Sequence, residues 1–197
     1  MIGLSSSAVT SWAANAHLPS LLTGQAKKLF RIVALCNSST EAAKSAIKAY
    51  DLDDSVRAYG YPEALAADEN VDFVICNTRV DKHYETILPS LRAGKSAYIE
   101  WPIAQDLNYV EELVTAAREG NARVAVGLQG RFAPPVARLR ELLQSGNLGK
   151  LLCTEARVFG GTKDREILPV GLKYFAESKI GGNPITIGFG HGELQLA

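Results

Sequence analysis

The sequence has no surplus of either charge: 21 Lys and Arg stand against 21 Asp and Glu in 197 residues. No basic cluster stands out along the chain, so it lacks the electrostatic footprint that nucleic acid or an anionic membrane would require. Direct nucleic-acid binding is not expected. Cysteine is scarce: Cys36, Cys76 and Cys153 are odd in number, far apart and set in apolar, strand-like runs. That pattern reads as buried thiols in a reducing compartment rather than as a disulfide framework or a metal site. The first twenty residues lack a basic start followed by an apolar block, and no apolar stretch is long enough to span a bilayer. A soluble intracellular protein is expected, cytoplasmic or, if regulatory, nuclear, with no membrane partner. Repeats and low-complexity tracts are absent.

What is present is an alternation of short apolar runs and longer helical patterns. Residues 6–22 are small and amphipathic, and residues 30–36 (FRIVALC) form a β-rich run. Residues 40–50 read as a helix, with Ser38 and Glu41 at capping-box spacing. A short helix is expected at 62–67, with Pro62 in its first turn. A buried strand follows at 71–76, then a helix over 82–93 closed by Gly94, and a strand at 97–100. Asp106 caps a helix through Arg118, Gly120 ends it, and residues 123–128 form another strand. Strands separated by helices, apolar on both faces, predict an α/β fold: a Rossmann-like doubly wound parallel sheet with right-handed crossovers. After Arg131 the texture changes. Pro134 and Pro135 open a helix to about residue 145, and residues 150–159 read as a long, partly alternating strand suited to a second sheet. The expected division is therefore a dinucleotide-binding domain over 1–130 and the incomplete start of an α/β (α+β) carboxy-terminal domain over 131–197.

Three turns at strand ends offer ligand chemistry. The first, residues 3–8 (GLSSSA), is the place where a dinucleotide fold needs a tight turn, close backbone approach to a pyrophosphate and a small residue for helix packing. Gly3 and Ala8 fit; Ser5 stands where a second glycine would, and Ser5 and Ser6 offer hydroxyls to phosphate oxygens. Only Met1 and Ile2 precede Gly3, so a first strand, normally about five residues, is nearly absent, and a shortened chain is expected. The second turn is Asn37 and Ser38, at the end of the 30–36 strand. No carboxylate stands there to take the ribose hydroxyls and no arginine to take a 2′-phosphate, which leaves NAD and NADP both open. The third is Asn77 and Thr78, followed by His83, where backbone donors and small polar side chains meet a ligand lying across the sheet edge.

Val71, Phe73 and Ile75 in their strand, His83, Gly94, the Glu100-Trp101-Pro102 turn, Arg131, and the Gly146 and Gly149 pair occur in an order and spacing that resemble the glucose–fructose oxidoreductase and inositol dehydrogenase family (Gfo/Idh/MocA). Glu100-Trp101, Gln129-Gly130-Arg131 and Phe189-Gly190-His191 resemble the branch of the fungal galactose/lactose-metabolism regulatory protein and its oxidoreductase-like relatives. The resemblance implies a cofactor, NAD or NADP, contacted by Gly3, Ser5, Ser6, Asn37, Ser38, Asn77, Thr78, His83, Glu100, Trp101 and Gln129, and a second domain that holds a small-molecule substrate and makes a homo-oligomer. Most enzymes of the family carry lysine where this chain has Trp101. An indole N–H donates only and does not titrate near neutrality, so Trp101 is expected to stack on the cofactor and exclude water. His191 keeps the place of the family's acid–base histidine, whereas the acidic neighbours are replaced by Ile187 and Leu194. Two functions follow from the resemblance. One is hydride transfer to or from a sugar-like or secondary-metabolite hydroxyl or carbonyl; the other is a non-catalytic dinucleotide sensor that binds a transcriptional activator.

Overall fold

The computed structural model describes residues 1–153, 155, 157, 170–181 and 186. Five strands, β1 (Ala34–Cys36), β2 (Arg57–Tyr59), β3 (Phe73–Cys76), β4 (Ser96–Glu100) and β5 (Val124–Gly127), all pair in parallel: β1 with β2, β3 with β4 and β4 with β5. Ile2 joins the two halves through parallel bridges to Cys36 and Cys76. Its N–H donates to Ile75 C=O at 2.8 Å, and its C=O accepts from Asn77 N–H at 3.0 Å. Ile2 thus holds the central place in the sheet, between β1 and β3. The sheet order is β2, β1, Ile2, β3, β4, β5, and the chain reverses direction across the sheet at Ile2, which makes the carboxyl edge beside Gly3 the topological switch point. Toward the amino-terminal edge, where β1 and β3 have no strand between them, a cleft of about 470 Å³ opens between residues 29–34 and 70–75.

The helices α1 (Leu18–Leu21), α2 (Thr40–Ala49), α3 (Pro62–Ala66), α4 (Val80–Arg92), α5 (Leu107–Glu119) and α6 (Pro134–Gln144) follow the predicted order. One apolar cluster packs Ile2, Cys36, Val74, Cys76, Ile87, Leu91, Ile99 and Leu113. The second packs Leu4, Leu18, Leu35, Ala43, Ala46 and Val56. Cores on both faces of the sheet are what near-continuous apolar strands require. Local signals set the helix ends. Asp106 accepts from Tyr109 N–H at 3.0 Å, and Gly94 closes α4 at φ +76°.

Four expectations are corrected. The α2 cap is Ser39, whose side chain accepts from Ala42 N–H at 3.0 Å, and not Ser38 with Glu41. Three serine and threonine residues in a row offer several start positions, and packing selects one. The segment after Gly3 does not enter a helix directly: the helical run begins at Trp12, where Ser11 accepts from Ala14 N–H, and passes through a π-helical turn (Ala13–His17) into α1. Cys153 is exposed, while Cys36 and Cys76 are buried. The expected strand over 150–159 is not formed at residues 150–153, which carry no strand pairing and expose Leu151 and Leu152; residues 154, 156, 158 and 159 lie outside the described residues. A strand needs a neighbour for its backbone groups, and no described residue pairs with this one.

Candidate functional site

Two cavities lie along the carboxyl edge of the sheet, and Thr78 lines both. The larger, about 650 Å³, sits at the switch point between the end of β1 and the end of β3. Its floor is Gly3, held at φ +91°, where a Cβ would lie 2.9 Å from the carbonyl carbon and oxygen of Asn77. The glycine is therefore required both by its left-handed backbone and by the close approach of the neighbouring strand. Ser5 and Ser7 line the wall. Ser5 Oγ accepts from Ser7 N–H at 3.2 Å, and Ser5 C=O accepts from Tyr50 Oη at 2.9 Å. Ser6 is exposed and does not line the cavity; Ser7, which the sequence does not single out, does. Asn37 is a clamp: its Nδ2 donates to Leu4 C=O at 2.8 Å and to Ala42 C=O at 3.4 Å, tying the glycine turn to α2. Ser38 is exposed at the rim, near Glu63, Lys82 and Glu85.

The smaller cavity, about 300 Å³, is lined by side chains of a different kind. Trp12, Trp101 and Tyr174 give aromatic walls, and Asn77, Glu100 and Gln129 give polar ones. Both polar atoms of the Asn77 carboxamide are buried without a hydrogen-bond partner. A buried unpaired amide costs on the order of 1–3 kcal/mol, and Asn77 belongs to the lining of this cavity. His83, 2% exposed, bridges the β3 turn and the next one: Nε2 meets Thr78 C=O at 2.8 Å and Nδ1 meets Pro102 C=O at 2.9 Å. Burial pulls its pKa down, opposed by those carbonyls and by the Glu100 charge. A neutral imidazole can donate to just one of the two carbonyls, so the ring acts as a staple held between competing demands.

Glu100 ends β4 and places a carboxylate at the cavity, 13% exposed, with Oε1 2.5 Å from His17 Nε2. His17 stacks edge-on against Tyr98 at 5.3 Å. Gly127 on β5 makes room for this group: a Cβ there would lie 2.6 Å from Glu100 Oε2 and 2.9 Å from the Tyr98 hydroxyl. Burial and the Glu100 charge push the Tyr98 hydroxyl up to about 12. Trp101 follows Glu100 and precedes Pro102 through a cis peptide bond. Its indole N–H donates to Thr186 C=O at 3.0 Å, which brings Thr186 to the site. The turn Val170–Ala176 brings Tyr174 to the same mouth, where the Arg79 guanidinium stands 5.5 Å over its ring and pairs with Asp81 at 2.6 Å.

The sequence-predicted residues Gly3, Ser5, Asn37, Ser38 and Thr78 meet in the larger cavity, and Asn77, Thr78, His83, Glu100, Trp101 and Gln129 meet in the smaller. His191 lies outside the described residues. Trp12, His17 and Tyr174 were missed. Trp12 sits on the helical segment about one turn beyond Ala8, where its spacing from a phosphate-binding turn could have flagged it; His17 and Tyr174 had no local signal. No group of three or more His, Cys, Asp or Glu able to hold a metal ion occurs among the described residues, and no helix among them is long and apolar enough to cross a membrane.

Residues 2–128 match the family model described as the oxidoreductase family, NAD-binding Rossmann fold. The chain is 36% identical over 181 residues to dehydrogenase aclE of Aspergillus oryzae, covering 89% of this chain and 47% of that protein. It is 29% identical over 190 residues to the galactose/lactose metabolism regulatory protein GAL80 of Saccharomyces cerevisiae, covering 93% of this chain and 43% of that one. Among solved structures, a super-repressor mutant of Gal80p from Saccharomyces cerevisiae superposes with a TM-score of 0.81 at 28% identity, covering 96% of this chain and 49% of that chain. KijD10, a 3-ketoreductase from Actinomadura kijaniata solved in complex with NADP, superposes with a TM-score of 0.59 at 26% identity, covering 76% of this chain and 44% of that one. The chain thus spans about half the length of the curated relatives named here. It belongs to the oxidoreductase family with the NAD-binding Rossmann fold.

Proposed function

We propose that this member of the family binds NAD or NADP across the sheet edge, with the adenosine and pyrophosphate in the larger cavity and the nicotinamide in the smaller. The observation that carries the reading is Asn77: it lines the smaller cavity and its carboxamide is buried and unpaired, and Thr78 beside it lines both cavities. A ligand long enough to reach both would satisfy that amide with hydroxyl or carboxamide groups. The residues fit the cofactor in other respects. Gly3 leaves its floor open to a pyrophosphate, Ser5 and Ser7 supply hydroxyls, and Trp12, Trp101 and Tyr174 supply flat faces that exclude water.

The bound cofactor would supply a hydride donor or acceptor. The chain's contribution would be to hold that group with Asn77 and Trp101 and to supply a carboxylate, Glu100, all of which line the smaller cavity. The reaction favoured is hydride transfer at a sugar-like or secondary-metabolite hydroxyl or carbonyl, with residues 1–130 as the cofactor domain and residues 131–197 beginning the substrate and oligomerisation domain. His191 is the proposed proton-handling group. A second reading has its own observation: Trp101, which cannot transfer a proton, is engaged with the carboxy-terminal segment through Thr186. That arrangement suits a dinucleotide sensor that presents a surface to a transcriptional activator.

Trp12 and Trp101 are the only two tryptophans of the chain, and both line the smaller cavity. Titration with NAD(H) and NADP(H) should therefore quench intrinsic fluorescence; no change at millimolar cofactor overturns both readings. Turnover across a panel of polyols and their ketones then favours the enzyme. Binding without turnover, combined with capture of an activator peptide, favours the sensor.

A further inference from the structure

We infer that the larger cavity selects NAD over NADP, and that Glu63 is the residue that makes the selection. The inference rests on the cofactor placement proposed above and names which of the two dinucleotides the site takes. They differ only in the phosphate on the adenosine 2′-hydroxyl, which carries about 1.5 to 2 negative charges near neutral pH. In Rossmann sheets that hydroxyl is met at the end of the strand following the glycine turn, by an acid for NAD or near an arginine for NADP. Here that strand is β1, and Asn37 and Ser38, which follow it, are neither.

The neighbouring strand supplies the acid that β1 lacks. β2 runs parallel to β1 with Tyr59 opposite Cys36, and Asn37 N–H donates to Tyr59 C=O at 3.1 Å. The two strands therefore end side by side, one strand spacing of about 5 Å apart. The turn that leaves β2 is packed onto the start of α2: a Cβ on Gly60 would lie 2.6 Å from Thr40 N and 3.1 Å from the Ser39 carbonyl carbon. Pro62 then opens α3, with Glu63 in its first turn. Glu63 is exposed, and it lines the larger cavity together with Cys36, Asn37 and Ser38. Burial pushes the Cys36 thiol up to about 11 and the Glu63 charge adds to that push, so the carboxylate is felt at the end of β1.

The other groups of the cavity do not offset this carboxylate. Among the described residues that line it, Lys82 is the one cation, and it pairs with Glu85 at 3.0 Å, which leaves Glu63 as the unmatched charge. Asn37 spends its Nδ2 on the carbonyls of Leu4 and Ala42 and so does not offer it to a phosphate. Ser38 adds a hydroxyl but no charge. The ribose hydroxyls of NAD are donors, from which a carboxylate accepts in charge-assisted bonds. A 2′-phosphate replaces one of those donors with acceptors of the same sign as Glu63. A unit charge about 5 Å from a phosphate, in surroundings close to water in dielectric, accounts for roughly a tenfold difference in affinity.

The test is the ratio of NAD to NADP affinity, measured by calorimetry on the full chain. At low salt the ratio should favour NAD roughly tenfold. Because Glu63 is exposed, its field is screened, and the ratio should shrink between about 0.05 M and about 0.5 M salt. In Glu63→Gln the ratio should fall close to one, with NAD bound more weakly and NADP more tightly than by the wild type. A wild-type chain that binds NADP as tightly as NAD, or a Glu63→Gln protein that keeps the wild-type ratio, overturns the inference while leaving the cofactor placement intact. Should Glu63→Gln fail to fold, a wild-type preference for NAD that does not change with salt overturns it equally. Absence of binding by either dinucleotide defeats the placement itself.

Discussion

The two cavities share Thr78 but are built from different materials. The larger is walled by backbone and small hydroxyl side chains drawn from Gly3, the serines after it and the ends of β1 and β3, with ionisable side chains (Glu63, Lys82 and Glu85) at its rim. The smaller is walled by aromatic, amide and ionisable side chains, and it takes Tyr174 from a segment far along the chain. The first is a consequence of the fold. Where two strands diverge at a switch point, a crevice forms whatever the side chains are. The second is decorated, and its substitutions can change chemistry with little effect on the sheet. The contrast predicts that damage to the larger cavity shows first as lost stability, and damage to the smaller shows first as lost binding.

The largest effect is expected at Gly3. Alanine there would adopt φ +91° with its Cβ 2.9 Å from the Asn77 carbonyl. Strain and overlap together should cost on the order of 3 kcal/mol, read as a lower urea midpoint with an unchanged slope, and cofactor binding should fall with it. A Gly3→Ala protein of wild-type stability would remove the distinction between a cavity set by the fold and one set by decoration.

Asn77→Leu probes the opposite half. Because the carboxamide has no partner, an apolar side chain of similar size relieves a desolvation cost, and stability should hold or rise by about 1 kcal/mol. Dinucleotide affinity should drop about tenfold or more, since a hydrogen bond to a buried polar group is lost. Lowered stability with full affinity would show that the amide serves the fold and not a ligand.

These two residues also show what the sequence could and could not reveal. Gly3 was legible because a glycine between an apolar pair and a serine-rich turn has few other uses, and Asn77 because it ends a buried strand. Most of the strand and helix order was legible because apolar runs of the right length alternate with capped, amphipathic stretches; β2 (Arg57–Tyr59) was not, since its three half-buried residues make no apolar run. Met1 and Ile2 do not read as a strand, yet Ile2 closes the sheet through its backbone bridges to Cys36 and Cys76. His17 was not legible. It meets Glu100 across 83 positions, and no local pattern announces a long-range hydrogen bond. Cys153 misled because its apolar neighbours resemble a strand, while burial depends on a partner surface that the sequence near it does not specify. The α2 cap could have been Ser38, Ser39 or Thr40 on residue type alone.

That last ambiguity gives a smaller effect. Ser39→Ala removes the bond to Ala42 N–H and should cost about 1 kcal/mol, whereas Ser38→Ala, at an exposed rim position, should change stability by less than about 0.5 kcal/mol. Ser38 lines the larger cavity directly, whereas Ser39 holds Ala42, which lines it, so the pair separates the cavity's rim from the support behind its wall. Equal losses would mean that the wall and the rim are energetically one.

The smallest effect belongs to Trp101. Phenylalanine keeps an aromatic face at the smaller cavity but gives up the N–H that Thr186 C=O accepts. One neutral hydrogen bond at a partly buried site has a net value of about 0.5–1.5 kcal/mol, and water can replace part of it, so the loss should fall at the lower end. If the aromatic face is what the cofactor uses, NADH affinity in Trp101→Phe should stay within about twofold of wild type, because stacking depends on the ring and not on its N–H. A large loss of affinity with little loss of stability would instead mean that the indole N–H, and the carboxy-terminal segment it holds, completes the binding site. The smaller cavity would then be assembled by the chain beyond the Rossmann sheet, and the division between its two halves would run through Trp101 itself.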